Sequence, residues 1–307
     1  MDRPVRLLSQ NVWNSFFAGG PGRGERLRAL VEFLRGHEVD VVVVQEMFAM
    51  GLGPLVDCVD ADAAAEAMRG LGFVYQTRPL ETLPQVGQSS GLAVYSKLPI
   101  RREAHGVFSA SCTRSLAARG PSCVWPTVTH RRAVSCKGWL GAELELPAAR
   151  GQAPRRLMVL STHLEHAHDP RWREVRERQW RELAARASAL SEEGWGGSSL
   201  GPLVVLVGDF NVCGSEAGER LDGGAEYAAL REALGAAGLP EALVEQARGL
   251  PTLRPEAGPA GLRCSLDHAF VSASLAARGA RAAVLDTRGD DGLPVSDHCG
   301  VVVELCL

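Results

Sequence analysis

The chain has 307 residues, 46% hydrophobic and 22% charged, enough to bury a large core. Its 33 Lys and Arg against 36 Asp and Glu leave a net charge of −3 and a pI near 6.3, which excludes the basic field of a dedicated nucleic-acid binder. No apolar run approaches the roughly 20 residues that span a bilayer, and the opening MDRPVRLLSQNVW reads as carrying no signal peptide.

Val5 to Trp13 alternates and ends among Asn11 and Asn14, which predicts a first strand with polar residues at its end. Glu25 to Gly36 puts Leu27, Leu30, Val31 and Leu34 on one face of a helix, with Gly36 as its stop. Asp40 to Gln45 (DVVVVQ) reads as a strand buried on both faces, with Glu46 at its end. Ala61 to Arg69 reads as a helix, Phe73 to Arg78 as a strand, and Gly91 to Ser96 (GLAVYS) as a strand closed by Leu98-Pro99.

Gly106 to Lys137 mixes Arg114, Arg119, Arg131 and Arg132 with Phe108 and Trp125 among Gly, Pro and Ser. A long excursion near the active face is expected there. Trp139 to Leu146 alternates as a strand, and Arg156 to His163 (RLMVLSTH) is a buried one ending in histidine. Asp169-Pro170 signals a helix start; the helix runs to about Glu193, with Trp172, Val175, Gln179, Leu183, Ala187 and Leu190 on one face. Gly194 to Gly201 is a flexible link.

Leu203 to Val212 (LVVLVGDFNV) begins as an unalternating strand; Gly208 breaks it, and Asp209 and Asn211 stand where it should end. Two apart on an extended chain, those side chains point to one side, at the rim where α/β sheets place their chemistry. Glu226 to Leu234 reads as a helix, and Leu266 to Val271 and Cys299 to Leu305 as late strands. Strands alternating with helices in both halves, without a short repeat, favour two packed sheets with helices outside. The eight cysteines form no CxxC pair and read mostly as buried thiols of a reducing compartment; Cys112, Cys123 and Cys136 are the exceptions, and Cys213 and Cys299 read as packing.

In order, the polar strand-end residues are Asn11, Glu46, His163, Asp209, Asn211, Asp267, Asp297 and His298, in the contexts QNVWN, VVQE, LSTHLE, VGDFNV, SLDHAF and VSDHCG. That series resembles the endonuclease/exonuclease/phosphatase superfamily of DNase-I-like phosphodiesterases, over Val5 to Leu305. NVWN, SGLAVYSKLPI, KGWL at Lys137 and STHLE are most similar to its neutral sphingomyelinase branch. His268 departs from the aromatic that family usually carries after the Asp at position 267. The resemblance implies one catalytic domain over 1–307, a four-layer α/β sandwich with two mixed β-sheets face to face, and a metal-dependent phosphodiesterase.

Phosphodiesters resist hydrolysis because the attacking oxygen meets negative charge, and a hard divalent cation with oxygen ligands offsets it. Mg2+ is expected, with Mn2+ or Ca2+ as alternatives. Glu46 with Asn11 is the expected ligand pair, and the resemblance adds Asp297. Asp209 and Asn211 are placed to orient water and phosphate, and His163 to donate to a phosphate oxygen. His298 is placed to take a proton, with Asp267 holding its ring. Asp209 and His298 both remain candidate bases. His163, His166 and His168 mimic zinc spacing, but no further ligand follows at a zinc-like interval; His166 and His168 read as surface or structural residues. Lys137 and the arginines of 114–132 either steer a phosphate headgroup or are structural, and the arginines of Arg171 to Arg186 solvate a helix face by default.

The expected substrate is a phosphodiester on a lipid headgroup, reached by peripheral membrane contact from a cytoplasmic or membrane-peripheral location. Nucleic acid is less favoured, and no obligate protein partner is evident. The alternatives are a nuclease or an inositol-phosphate or nucleotide phosphatase, and an inactive binding protein on the same fold.

Overall fold

The computed structural model describes residues 3–14, 22–48, 50–52, 55–57, 59–77, 86–88, 90–110, 137–147, 154–166, 170–197, 201–215, 224–242, 250–254 and 263–307. The elements begin β1 (Val5–Asn11), α1 (Arg23–Gly36), β2 (Val41–Gln45), β3 (Met50–Leu52), β4 (Leu55–Asp57), α2 (Val59–Gly70), β5 (Tyr75–Gln76), β6 (Val86–Gln88) and β7 (Ala93–Ser96). They continue β8 (Ile100–Val107), β9 (Gly138–Leu146), β10 (Arg155–His163), α3 (Pro170–Glu192), β11 (Val204–Asp209), α4 (Ala225–Ala236), β12 (Asp267–Val271), α5 (Ala273–Ala276), β13 (Arg281–Leu285) and β14 (Gly300–Leu305).

Two mixed sheets carry the chain, in strand orders β13-β14-β1-β2-β7-β5 and β12-β11-β10-β9-β8, beside a small β4-β3-β6 sheet. Each large sheet has one parallel pair at its centre, β1 with β2 and β10 with β11. Both pairs span a helical segment, as parallel neighbours must: α1 in the first and α3 in the second.

Period-two alternation builds the layers. Leu7, Val41 and Val43 turn inward and meet Leu157, Val159, Val205 and Val207 in the core between the sheets. Leu8, Val42 and Val44 turn outward under Leu30, Phe33 and Leu34 of α1 and Met68 of α2. On the far side Met158, Leu160, Val204 and Leu206 lie under Trp180, Leu183 and Leu190 of α3 and Leu230 and Leu234 of α4. The result is the four-layer sandwich that the sequence reading implied.

Several details differ from expectation. The apolar face of α1 is turned slightly, so that Ala29 and Phe33 are buried while Val31 is only half-buried. In α3, Gln179, Leu183, Ala187 and Leu190 are buried as expected, while Trp172 and Val175 are half-buried and Trp180 is buried instead. The arginines of α3 are not all solvated: Arg176 is buried and bonds bidentately to Glu226, and Arg186 lies over the Trp139 ring. Arg78, Cys58, His168, Asp169 and the stretch 111–136, with its three cysteines, four arginines and Trp125, lie outside the described residues. Among the described residues no helix is long and apolar enough to cross a membrane.

Candidate active site

The polar residues gather at one rim, because both parallel pairs end there. Asn11 is paired with Gln45 at the ends of β1 and β2, and Glu46 follows directly. In the other sheet His163 pairs with Asp209, and Asp209 with Asp267. His298 arrives on the approach to β14, antiparallel to β1.

Local backbone geometry aims these groups. Glu46 takes φ 60° and Asn211 φ 52°, uncommon values for residues with a side chain, as at many functional sites. Met47 N–H donates to the Gly91 carbonyl at 2.9 Å, and a Cβ on Gly91 would stand 3.0 Å from the Glu46 Cα. Gly208, at φ 151°, lets β11 approach β10: a Cβ there would lie 2.1 Å from the Thr162 carbonyl oxygen. The extended-chain expectation for Asn211 does not hold, because β11 stops at Asp209. Instead Asn211 N–H turns back to Asp209 Oδ1 at 2.9 Å, while its side-chain amide donates to the Leu164 carbonyl at 3.1 Å.

The sheets are joined across the rim. Asn11 Nδ2 donates to Glu46 Oε1 at 3.0 Å and to Asp209 Oδ2 at 3.1 Å. His163 Nε2 stands 3.6 Å from Asp209 Oδ2 and 3.9 Å from Glu46 Oε1. Lys137 Nζ donates to the same Nε2 at 2.6 Å. His298 Nδ1 donates to Asp267 Oδ2 at 2.7 Å, and its Nε2 faces Asp209 Oδ2 at 4.0 Å. Asp297 accepts from the Ser296 hydroxyl at 2.9 Å and lies near enough for its charge to act on Glu46 and His298.

Burial sets the proton equilibria. Glu46 is raised by desolvation, against Lys137 and the Asn11 hydrogen bond. Asp209 is pushed up to about 6, first by burial and then by the charge of Asp267. Desolvation drives His163 well below the ordinary imidazole range, and Lys137 adds to it, so this ring is neutral. Lys137 is itself lowered by burial. For His298 burial is outweighed by Asp267 and then Asp209, and the ring is held charged well above its ordinary value.

Other residues fix the frame, and of these Thr252, Gln10 and Arg254 carried no signal in the sequence reading. The Thr252 hydroxyl accepts from Leu266 N–H at 2.9 Å and from Asp267 N–H at 3.1 Å. Gln10 Nε2 donates to the His298 carbonyl at 3.2 Å. Buried Arg254 donates to the carbonyls of Ser296 at 2.8 Å and Thr287 at 3.0 Å, bracing the loop before His298. His268 is buried on the opposite face of β12 from Asp267, where its Nε2 donates to the Val212 carbonyl at 2.8 Å. Its Nδ1 lies 3.5 Å from Glu241, which also receives the Tyr227 hydroxyl.

Oxygen donors dominate the rim, and this suits a hard divalent cation. Ligand atoms of Glu46, His163 and Asp209 lie within 4.8 Å of one another, as do those of Asp209, Asp267 and His298. Half-buried Glu46 and buried Asp209, both raised by desolvation, make that cluster favourable for added positive charge.

Solved structures repeat this architecture. Sphingomyelinase C from Streptomyces griseocarneus is 19% identical, with a TM-score of 0.65 over 98% of this chain and 99% of its own. A beta toxin mutant from Staphylococcus aureus with bound magnesium ions is 18% identical, with a TM-score of 0.68 over 98% and 99%. D. rerio TDP2 complexed with single strand DNA product is 17% identical, with a TM-score of 0.63 over 100% of both chains. No curated protein matches the sequence. The Endonuclease/Exonuclease/phosphatase family profile matches residues 8–298, from within β1 to the histidine before β14. With the strand-end residues of both sheets meeting at one rim inside that span, the chain belongs to the endonuclease/exonuclease/phosphatase family.

Proposed function

We propose that the chain is a metal-dependent phosphodiesterase acting on a lipid headgroup, in the manner of a sphingomyelinase or phospholipase C. One observation carries the reading: the His298–Asp267 pair faces Asp209 at the same rim where Asn11 joins Asp209 to Glu46. Glu46, Asn11 and Asp297 would hold Mg2+, with Mn2+ or Ca2+ as substitutes. When bound, the ion supplies positive charge to a phosphoryl oxygen.

The chain's own groups divide the remaining work. Asp209, at about 6, is ionised at neutral pH and basic enough to accept a proton from water. His298 stays charged and donates to a phosphoryl oxygen as negative charge builds. Asp267 keeps that proton on His298. Asn211 would orient the phosphate, with Lys137, held by the neutral His163 ring, adding a donor on the opposite flank. Water adds to phosphorus, its proton goes to Asp209, and the bond to the leaving oxygen breaks.

The lipid reading is supported by the SGLAVYSKLPI and KGWL segments and by the likeness to a sphingomyelinase C. The second reading, a nuclease or a soluble-phosphate phosphatase, is supported by the comparable likeness to TDP2 with a DNA product. A panel at fixed Mg2+ separates them: sphingomyelin micelles, choline and inositol phospholipids, plasmid, nucleotides and inositol phosphates. Phosphocholine release abolished by chelation is expected. Plasmid nicking or release of inorganic phosphate without phospholipid turnover selects the second reading, and silence on every ester across a metal series overturns the enzyme.

A further inference from the structure

Two thiols meet behind the site. Gly214 N–H donates to the Ser265 carbonyl at 2.9 Å, and the Ser215 hydroxyl donates to the Arg263 carbonyl at 2.6 Å, so the segments after Asn211 and before Asp267 run side by side. Between them Cys213 packs on Cys264 and Leu266. Cys213 Sγ also lies 3.2 Å from the Ser215 hydroxyl. Cys213 is half-buried and reachable from solvent, whereas Cys264 is only 2% exposed.

This arrangement is unequal by construction. The neighbouring Cys264 thiol, the Ser215 hydroxyl and backbone donors of Ser215 and Ser265 gather on Cys213 and pull its pKa down to about 5. The same neighbour, followed by burial, drives Cys264 upward, so the inner sulfur keeps its proton. An accessible thiolate backed by a protonated neighbour is the layout of an attacking and a resolving cysteine.

We propose that Cys213 and Cys264 form a thiol–disulfide exchange site that takes small-molecule disulfides, with Cys213 attacking and Cys264 resolving. With oxidised glutathione, the Cys213 thiolate attacks one sulfur, the glutathione S–S bond breaks, and one glutathione thiolate leaves. Cys264 then gives its proton to that thiolate and attacks Cys213 Sγ, expelling the second glutathione. The cysteine pair loses two electrons, and the disulfide reagent becomes one thiol and one thiolate, which takes its proton from water. The resulting bond ties the segment bearing Asn211 to the strand bearing Asp267.

The test needs no substrate, so it stands or falls apart from the hydrolytic reading. The whole chain is treated with oxidised glutathione, blocked with an alkylating reagent, digested without reductant and mapped by mass spectrometry. A Cys213–Cys264 linked peptide, reversed by dithiothreitol, is expected, along with a higher Tm for the oxidised chain. Cys264→Ser should retain one glutathione on Cys213, and Cys213→Ser should take none at Cys264. In the untreated protein at pH 7, Cys213 should alkylate about tenfold faster than exposed Cys306. Links joining other cysteines, or a Cys213 no faster than Cys306, overturn the proposal.

Discussion

Asp209 and Asp267 face each other as paired residues of neighbouring antiparallel strands, and His298 stands between their charges. Asp267 bonds the ring at 2.7 Å and pushes Asp209 upward, so one carboxylate sets the proton affinity of two other groups. The predicted behaviour of the site follows from that dependence.

Asp267→Asn removes the charge that holds the His298 proton, so the histidine pKa falls. If His298 works in its charged form, the basic limb of the pH–rate profile moves to lower pH. Maximal turnover drops about a hundredfold. A histidine acting as base gives the opposite sign, with activity extending further into acid. Recording kcat against pH for both proteins decides between them.

Adding Mg2+ should raise the Tm of the chain, because an ion that binds only the folded rim stabilises it by mass action. Glu46→Gln should shift that rise to higher metal concentration and raise the metal requirement for turnover in parallel. An unchanged melting response across a Mg2+ titration removes Glu46 from the ligand set.

Asp209→Asn should lose turnover yet gain stability. The native carboxyl titrates near 6 against an ordinary 3.8, so its raised value favours the fold at low pH, and this support is lost as pH climbs from about 4 to about 6. Two units correspond to on the order of 2–3 kcal/mol, after the burial that dominates the shift. Urea melts with chelator at pH 5 and pH 8 should show the mutant's advantage growing with pH.

Gly208→Ala should destabilise by about 3 kcal/mol or more. Its methyl group would sit 2.1 Å from the Thr162 carbonyl, a backbone atom inside a central ladder that cannot swing away. Chemical denaturation measures the loss, and turnover per folded molecule should also fall because Asp209 is the next residue.

His268→Ala should cost about 2–4 kcal/mol. The imidazole bridges the Val212 carbonyl and Glu241, and Glu241 pulls the ring pKa up against its burial. Without it Glu241 keeps Arg231 and Tyr227, but the segment after Asn211 loses its tether. Hydrogen exchange should show faster opening of the amides between Phe210 and Gly214.

The strands that a reader can find in the sequence are the ones covered on both faces. Val41 to Val44 and Val204 to Val207 admit no polar residue, and each ends in the residues that reach the rim. The strands missed in the two large sheets lie at edges. β8 carries IRREAHGV and is half-exposed along most of its length, and β13 carries RAAVL beside solvent, so neither needs an apolar pattern. The candidate site was legible because Asn11, Glu46, His163 and Asp209 stand at the polar ends of strands that begin apolar. Thr252, Gln10 and Arg254 were not legible, because a backbone carbonyl or N–H as partner leaves no trace in side-chain pattern. The turned backbone at Asn211 was hidden too, since an Asp-Phe-Asn stretch reads equally as extended chain.

The contacts at the rim run from one sheet to the other: Asn11 to Asp209, His298 to Asp267, His163 toward Glu46. The chemistry is therefore a gauge of how the two slabs are seated, sensitive to slippage of about 1 Å that would leave every ladder intact. Val43 and Val207, packed between the sheets and only three and two residues along their strands from Glu46 and Asp209, hold that seating.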